Sequence, residues 1–130
     1  MEDQSGRLDH KQLAMFCHLS ALSRILIPFG NVIAPLILWT TKKGQDPYID
    51  EQGKEVVNFQ IFISIIGISL YLIAGLLPFL GMFMFNGLGV GYMSLHMFLG
   101  LGILIFSIIG ALKAKEGVAF KYPTPFKFLN

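Results

Sequence analysis

Apolar and polar positions fall into long blocks along this chain. From Val56 to Leu112 there is no Asp, Glu, Lys or Arg. A bilayer-spanning helix needs only about 20 apolar residues for a hydrocarbon core roughly 30 Å thick, so that run holds two helices. Asp50 and Glu51 precede "VVNFQIFISIIGISLYLIAGLL", where acidic side chains suit a helix start, and the lysines of "ALKAK" suit a helix end. With Pro78 and "LGMFMFNGLGVG" as breakers between them, the pattern predicts helices over 50–77 and 91–114, paired as an antiparallel hairpin.

A second apolar region lies between Lys11 and Lys42, interrupted by Arg24 and by "PFGN". Pro28 lacks a backbone donor and Gly30 permits a tight turn, so the region divides into helices over 9–27 and 31–41. The second piece, at about 1.5 Å per residue, is too short to span a bilayer alone. A tail over 115–130 contains Pro123 and Pro125 and is not helical; its aromatic residues Phe120, Tyr122, Phe126 and Phe128 are expected to lie inward against a membrane surface, with lysines toward anionic lipid. The expected class is all-α: a polytopic integral membrane protein forming one domain over 1–130, with about four helical segments.

Composition agrees, with 54% hydrophobic and 14% charged residues, against about 25% charged in soluble domains. The opening "MEDQSGRLDHKQLAMF" is acidic and its apolar segment contains Arg24, which reads as a retained helix and not a cleaved signal. The single Cys17 cannot form an internal disulfide, and with His18 it supplies too few ligands for zinc, so neither metal nor cofactor is expected. A net charge of +2 gives no basis for nucleic-acid binding. Lys42, Lys43 and Lys54, and then Lys113, Lys115, Lys121 and Lys127, flank a connection around Asn86 that has none. By the positive-inside rule both lysine-bearing segments are cytoplasmic. Two schemes fit: three spans with Met1 outside, or four segments with Met1 and Asn130 cytoplasmic and "PFGN" at the far apex. Arg7 and Lys11 favour the second.

The candidate polar positions follow from cost. Arg24 is expensive in hydrocarbon. One turn before the far apex it would snorkel to headgroups or meet helix-end carbonyls; the alternative is a contact to a lipid phosphate, substrate or ion. Asn31 is placed to accept from amides that begin the next segment. In "DEQGKEVVNFQ", Asp50 precedes Lys54 by four residues, and Glu51, Glu55, Asn58 and Phe62 fall near one stripe. Asn58 and Gln60 carry amides into the span, and Asn58 is expected to hydrogen-bond the short segment ending at Trp39. His18 is read as buried packing and His96 as an interhelical donor. Gly87 and Gly91, with Gly102, Ser107, Gly110 and Ala111, suggest close packing or self-association, and Trp39 and Tyr92 fit two interfacial aromatic belts.

The order "AMFCHLSAL", "IPFGNVIAPLILW", "DEQGKEVVNFQ", "KAKEGVAFKYP" resembles a family of short bacterial membrane proteins of unknown function related to the Tic-type component of chloroplast inner-envelope import, over roughly residues 13 to 128. The resemblance implies a four-helix membrane fold in a bacterial inner membrane and an import-like or channel-like role. No Ser/His/Asp set, paired membrane aspartates or histidine-rich motif points to an enzyme. The expected function is a small non-enzymatic membrane subunit or adaptor whose partners are the lipid bilayer and a homo-oligomer or larger membrane complex. The alternative is a Tic-like translocon component, small channel or transporter.

Overall fold

A computed structural model describes residues 4–26, 29–81 and 86–130. The fold is all-α. Helix α1 (Gln4–Ser20) tightens into a short 3-10 helix (Ala21–Ile25), followed by α2 (Gly30–Lys42), α3 (Pro47–Gly81) and α4 (Asn86–Glu116). Residues 117–130 form an extended strap without regular secondary structure.

Each long helix outruns its expected bounds for a local reason. α3 starts at Pro47, where the missing donor is harmless, and the Asp46 carboxylate accepts from the Tyr48 amide at 2.6 Å. It continues through Pro78 to Gly81, so that proline does not end it. α4 runs on to Glu116 because Gly117, with φ 79°, supplies a left-handed cap. The Gly117 and Val118 amides then donate to the Ala114 and Lys113 carbonyls at 3.0 and 2.9 Å, the Schellman pattern. α1 is shorter than the expected 9–27 segment at its far end, giving way to the 3-10 turn after Ser20. Pro28 of the break and the connection at 82–85 lie outside the described residues, as do the side chains of Arg7, Gly87 and Tyr92.

Among the described residues, the expected direct pairing of α3 with α4 is slight. α1 packs along both and keeps them apart, so they barely touch. The Lys11 ammonium donates to the Glu116 carbonyl at 3.3 Å, and His18 fills the space that a Cβ on Gly110 would occupy, so α1 runs antiparallel to α4. α2 runs antiparallel to α3, with Trp39 against Gly53 at one end and Asn31 beside Gln60 and Ser64 at the other. A side chain at Gly53 would overlap the indole, so this crossing requires a glycine.

The α1–α2 hairpin therefore stops partway along the bundle. At its end Arg24, Ile25, Leu26 and Phe29 are level with Ser64, Ile68 and Tyr71 of α3 and His96 of α4, whose side chains line one cavity with them. From Tyr71, α3 continues ten residues to Gly81, roughly 15 Å at helical rise. The described part of the hairpin end thus lies level with the middle of α3, while Pro28 of "PFGN" is outside the described residues. The core lies at the opposite, lysine-bearing end, where Cys17, Ala21, Val56, Phe59, Ile103 and Tyr122 are buried together.

Candidate functional site

The lysine-bearing end carries a seam of buried polar side chains that holds the strap. Positions 52, 55 and 59 recur on one helical face, and they place Gln52, Glu55 and Phe59 inward on α3. The Gln52 carbonyl oxygen accepts from the Phe120 amide at 3.0 Å and from His18 Nε2 at 3.2 Å. That fixes the tautomer: Nε2 carries the proton, and His18 Nδ1 accepts from the Tyr122 hydroxyl at 2.7 Å. Glu55 accepts from Lys127 Nζ at 2.6 Å and from the Tyr122 amide at 3.3 Å. Asn58 closes the strap, its oxygen accepting from the Phe128 and Leu129 amides at 2.9 and 2.8 Å while Nδ2 donates to the Leu129 carbonyl at 3.0 Å.

Tyr122 is the centre of this seam. Its ring stacks on Phe59 at 4.3 Å and on His18 at 5.6 Å, with Phe120 edge-on at 4.9 Å. Burial of His18 disfavours the imidazolium and lowers its pKa to about 4, against the smaller opposing effects of the Gln52 hydrogen bond and the Glu55 charge. Burial likewise pushes the Cys17 thiol up to about 11, which keeps it an unreactive thiol. The Glu55 carboxylate beside Lys127 holds that ammonium above the ordinary lysine range.

Several expected positions sit elsewhere than the spacing suggested. Glu51 is exposed, whereas Gln52, which the stripe reading passed over, is fully buried. Asn58 meets the strap and not the Trp39 segment; its neighbour Gln60 makes that connection, accepting from Asn31 Nδ2 at 3.0 Å. Asn31 is no cap. It lies inside α2 and donates also to the Ser64 hydroxyl at 3.1 Å, while Phe29, at φ 60°, occupies the N-cap without a side-chain bond. Asp50 pairs with Lys54 at 2.8 Å and accepts from the Trp39 indole at 2.8 Å. Of the strap's aromatic residues, Phe120 and Tyr122 turn inward but Phe126 and Phe128 remain exposed. A proline-punctuated aromatic tail after a glycine cap was the signal for a docked strap; its receptor on α3 was not readable.

Arg24 and His96 form a separate locality. Both line a cavity of about 500 Å³ at the hairpin end, together with Ile25, Leu26, Phe29, Ser64 and Tyr71. Arg24 is exposed, and Glu55, the carboxylate nearest along α3, precedes Ser64 by nine residues, roughly 13 Å. Among the described residues no group of three or more His, Cys, Asp and Glu side chains converges to hold a metal ion.

These features define a small all-α protein in which, among the described residues, two helical stretches, Pro47–Ile73 and Ser94–Glu116, are long and apolar enough to cross a membrane. Residues 9–129 match the magnetosome magnetite crystal formation protein family, and the chain belongs to that family. The match overturns the resemblance to a Tic-type import component. The motifs that carried that resemblance contribute residues to the hairpin end, the seam and the strap. No curated protein and no solved structure matches the chain.

Proposed function

We propose that the protein is a small, non-enzymatic integral membrane subunit or adaptor that acts in magnetite crystal formation at the magnetosome. In this reading α3 and α4 cross the bilayer, and the α1–α2 hairpin enters from the lysine-bearing side without crossing. The start of α1 and the strap both lie on that side, which the positive-inside rule makes cytoplasmic. The observation that carries the reading is exposure: only 28% and 22% of an 18-residue apolar window in each stretch is buried within the protein, whereas a soluble core helix is covered. Outward Ile65, Ile68, Leu72, Phe98, Leu101, Ile105 and Leu112 would face lipid. The polar seam supports a structural and not a catalytic role, because His18, Gln52, Glu55 and Asn58 are each engaged in holding the chain's own strap.

The test has two parts. Native protein should resist alkaline carbonate extraction and dissolve in mild detergent; release by carbonate sinks the membrane reading. Purification under those conditions should recover a stoichiometric partner, and loss of the protein should alter the magnetite crystals. Ion or solute flux from pure protein in liposomes, with no partner recovered, would replace the adaptor by a small channel or transporter.

A further inference from the structure

We propose that the cavity at the hairpin end binds one anionic phospholipid, with its phosphate on the Arg24 guanidinium and its acyl chains along α3 and α4. The inference rests on the membrane reading above and adds a ligand to it. An arginine cannot escape hydrocarbon by losing its proton, so at this depth its charge needs an anion. Among the described residues none lies nearby, since Val56 to Leu112 contains no acidic residue and Glu55 lies nine residues short of Ser64. Nor does a short path lead to either surface: about 13 Å of α3 separates Ser64 from Glu55, and about 15 Å separates Tyr71 from Gly81.

The cavity has the mixed chemistry such a ligand requires. Ile25, Leu26 and Phe29 are 82%, 85% and 57% exposed, and with Ile68 they present an apolar wall suited to acyl chains. The planar guanidinium fork matches a phosphate bidentately. Ser64 accepts from Asn31, which leaves its O–H to donate. A second copy of this chain is a poorer occupant, because in the same membrane it would present another charge-free stretch at this depth and no carboxylate for Arg24.

The experiment uses full-length protein in nonionic detergent with Lys113→Gln, Lys115→Gln and Lys121→Gln, which removes exposed lysines as rival headgroup sites. Thermal unfolding is followed while dioleoylphosphatidylglycerol, dioleoylphosphatidylcholine or inorganic phosphate is added. Phosphatidylglycerol should raise Tm more than phosphatidylcholine, and phosphate alone should leave it unchanged. Arg24→Gln should weaken the apparent phosphatidylglycerol affinity roughly tenfold, the order expected for charge-assisted hydrogen bonds, and Arg24→Lys should weaken it less. Equal shifts with the two lipids, or an undiminished preference in Arg24→Gln, overturns the proposal while leaving the membrane reading intact. A shift from phosphate equal to that from phosphatidylglycerol also overturns it, in favour of a small-anion site. If Arg24→Gln does not fold, native mass spectrometry of the arginine-bearing protein decides: one retained phosphatidylglycerol per chain supports the site, and none rejects it.

Discussion

At the lysine-bearing end His18, Gln52, Glu55 and Asn58 are buried, and each meets a polar partner within the chain. Arg24 shares its cavity with apolar side chains and with Ser64, Tyr71 and His96, and no carboxylate is among the described residues that line it. The first region turns these side chains onto its own strap, so they act on stability, although Gln52 Nε2 is buried without a hydrogen-bond partner. The second leaves its cation to the surroundings, so that residue acts on what binds there. A buried polar group without a partner costs about 1–3 kcal/mol, which makes the two regions separable by mutation.

The largest effect should come from Tyr122→Ala, which empties the centre of the aromatic cluster and frees His18 Nδ1. Loss of a buried aromatic ring predicts about 3–5 kcal/mol of destabilisation in detergent unfolding. Tyr122→Phe keeps the ring and loses one hydrogen bond, so about 1 kcal/mol is expected. Equal effects of the two would mean that packing is not what holds the strap.

Acid should weaken the same end next. The folded-state pKa of His18 lies below its ordinary 6.5, at about 4. The unfolded chain therefore takes up the proton first, and stability is full above about pH 6.5 and declines as pH falls toward 4. The loss attributable to this group approaches about 3 kcal/mol at the bottom of that window. Tm followed from pH 7 to 4 should fall in the native protein and flatten over that range in His18→Gln. An identical profile in both would remove His18 from the account.

Asn58→Leu should be milder, about 1–2 kcal/mol, because the Phe128 and Leu129 amides and the Leu129 carbonyl regain water as the strap end lifts. Hydrogen exchange at those two amides should accelerate while the helices stay protected. Asn31→Leu, which breaks bonds between α2 and α3, should cost nearer the roughly 0.6 kcal/mol average for side-chain bonds within membranes. Protection unchanged in Asn58→Leu would mean that the strap is held by its aromatic residues alone.

How far the sequence could lead differs between the same two regions. The absence of charge from Val56 to Leu112 and the "PFGN" break made the helices and the short second segment legible. The Asp50 to Lys54 spacing likewise needs only helical geometry, and the pair forms. What escaped were long-range choices: α1 lying between α3 and α4, and the strap selecting Asn58 over the Trp39 segment. Neither leaves a periodicity, because both depend on which of several polar groups lies opposite after packing. Gln52 escaped for a smaller reason. Its face was readable at spacings of three and seven to Glu55 and Phe59, but the stripe was drawn one residue away through Glu51.

The smallest expected effect is also the one that most sharply separates the regions. Arg24→Leu removes the charge from a side chain that is exposed at the cavity and has no carboxylate near it. In detergent without added phospholipid, the change should therefore alter unfolding by no more than about 0.5 kcal/mol, as for surface positions away from a buried network. If the side chain instead closed an internal ion pair, leucine would strand a buried carboxylate and cost several kcal/mol. Membrane insertion should be at least as efficient as in the parent, because a charged residue no longer enters hydrocarbon. Comparing Arg24→Leu with Asn58→Leu in one preparation isolates the distinction, since both put leucine in place of a polar residue. Stability should drop only for Asn58. A larger drop for Arg24 would show that the far region, like the near one, is closed from within.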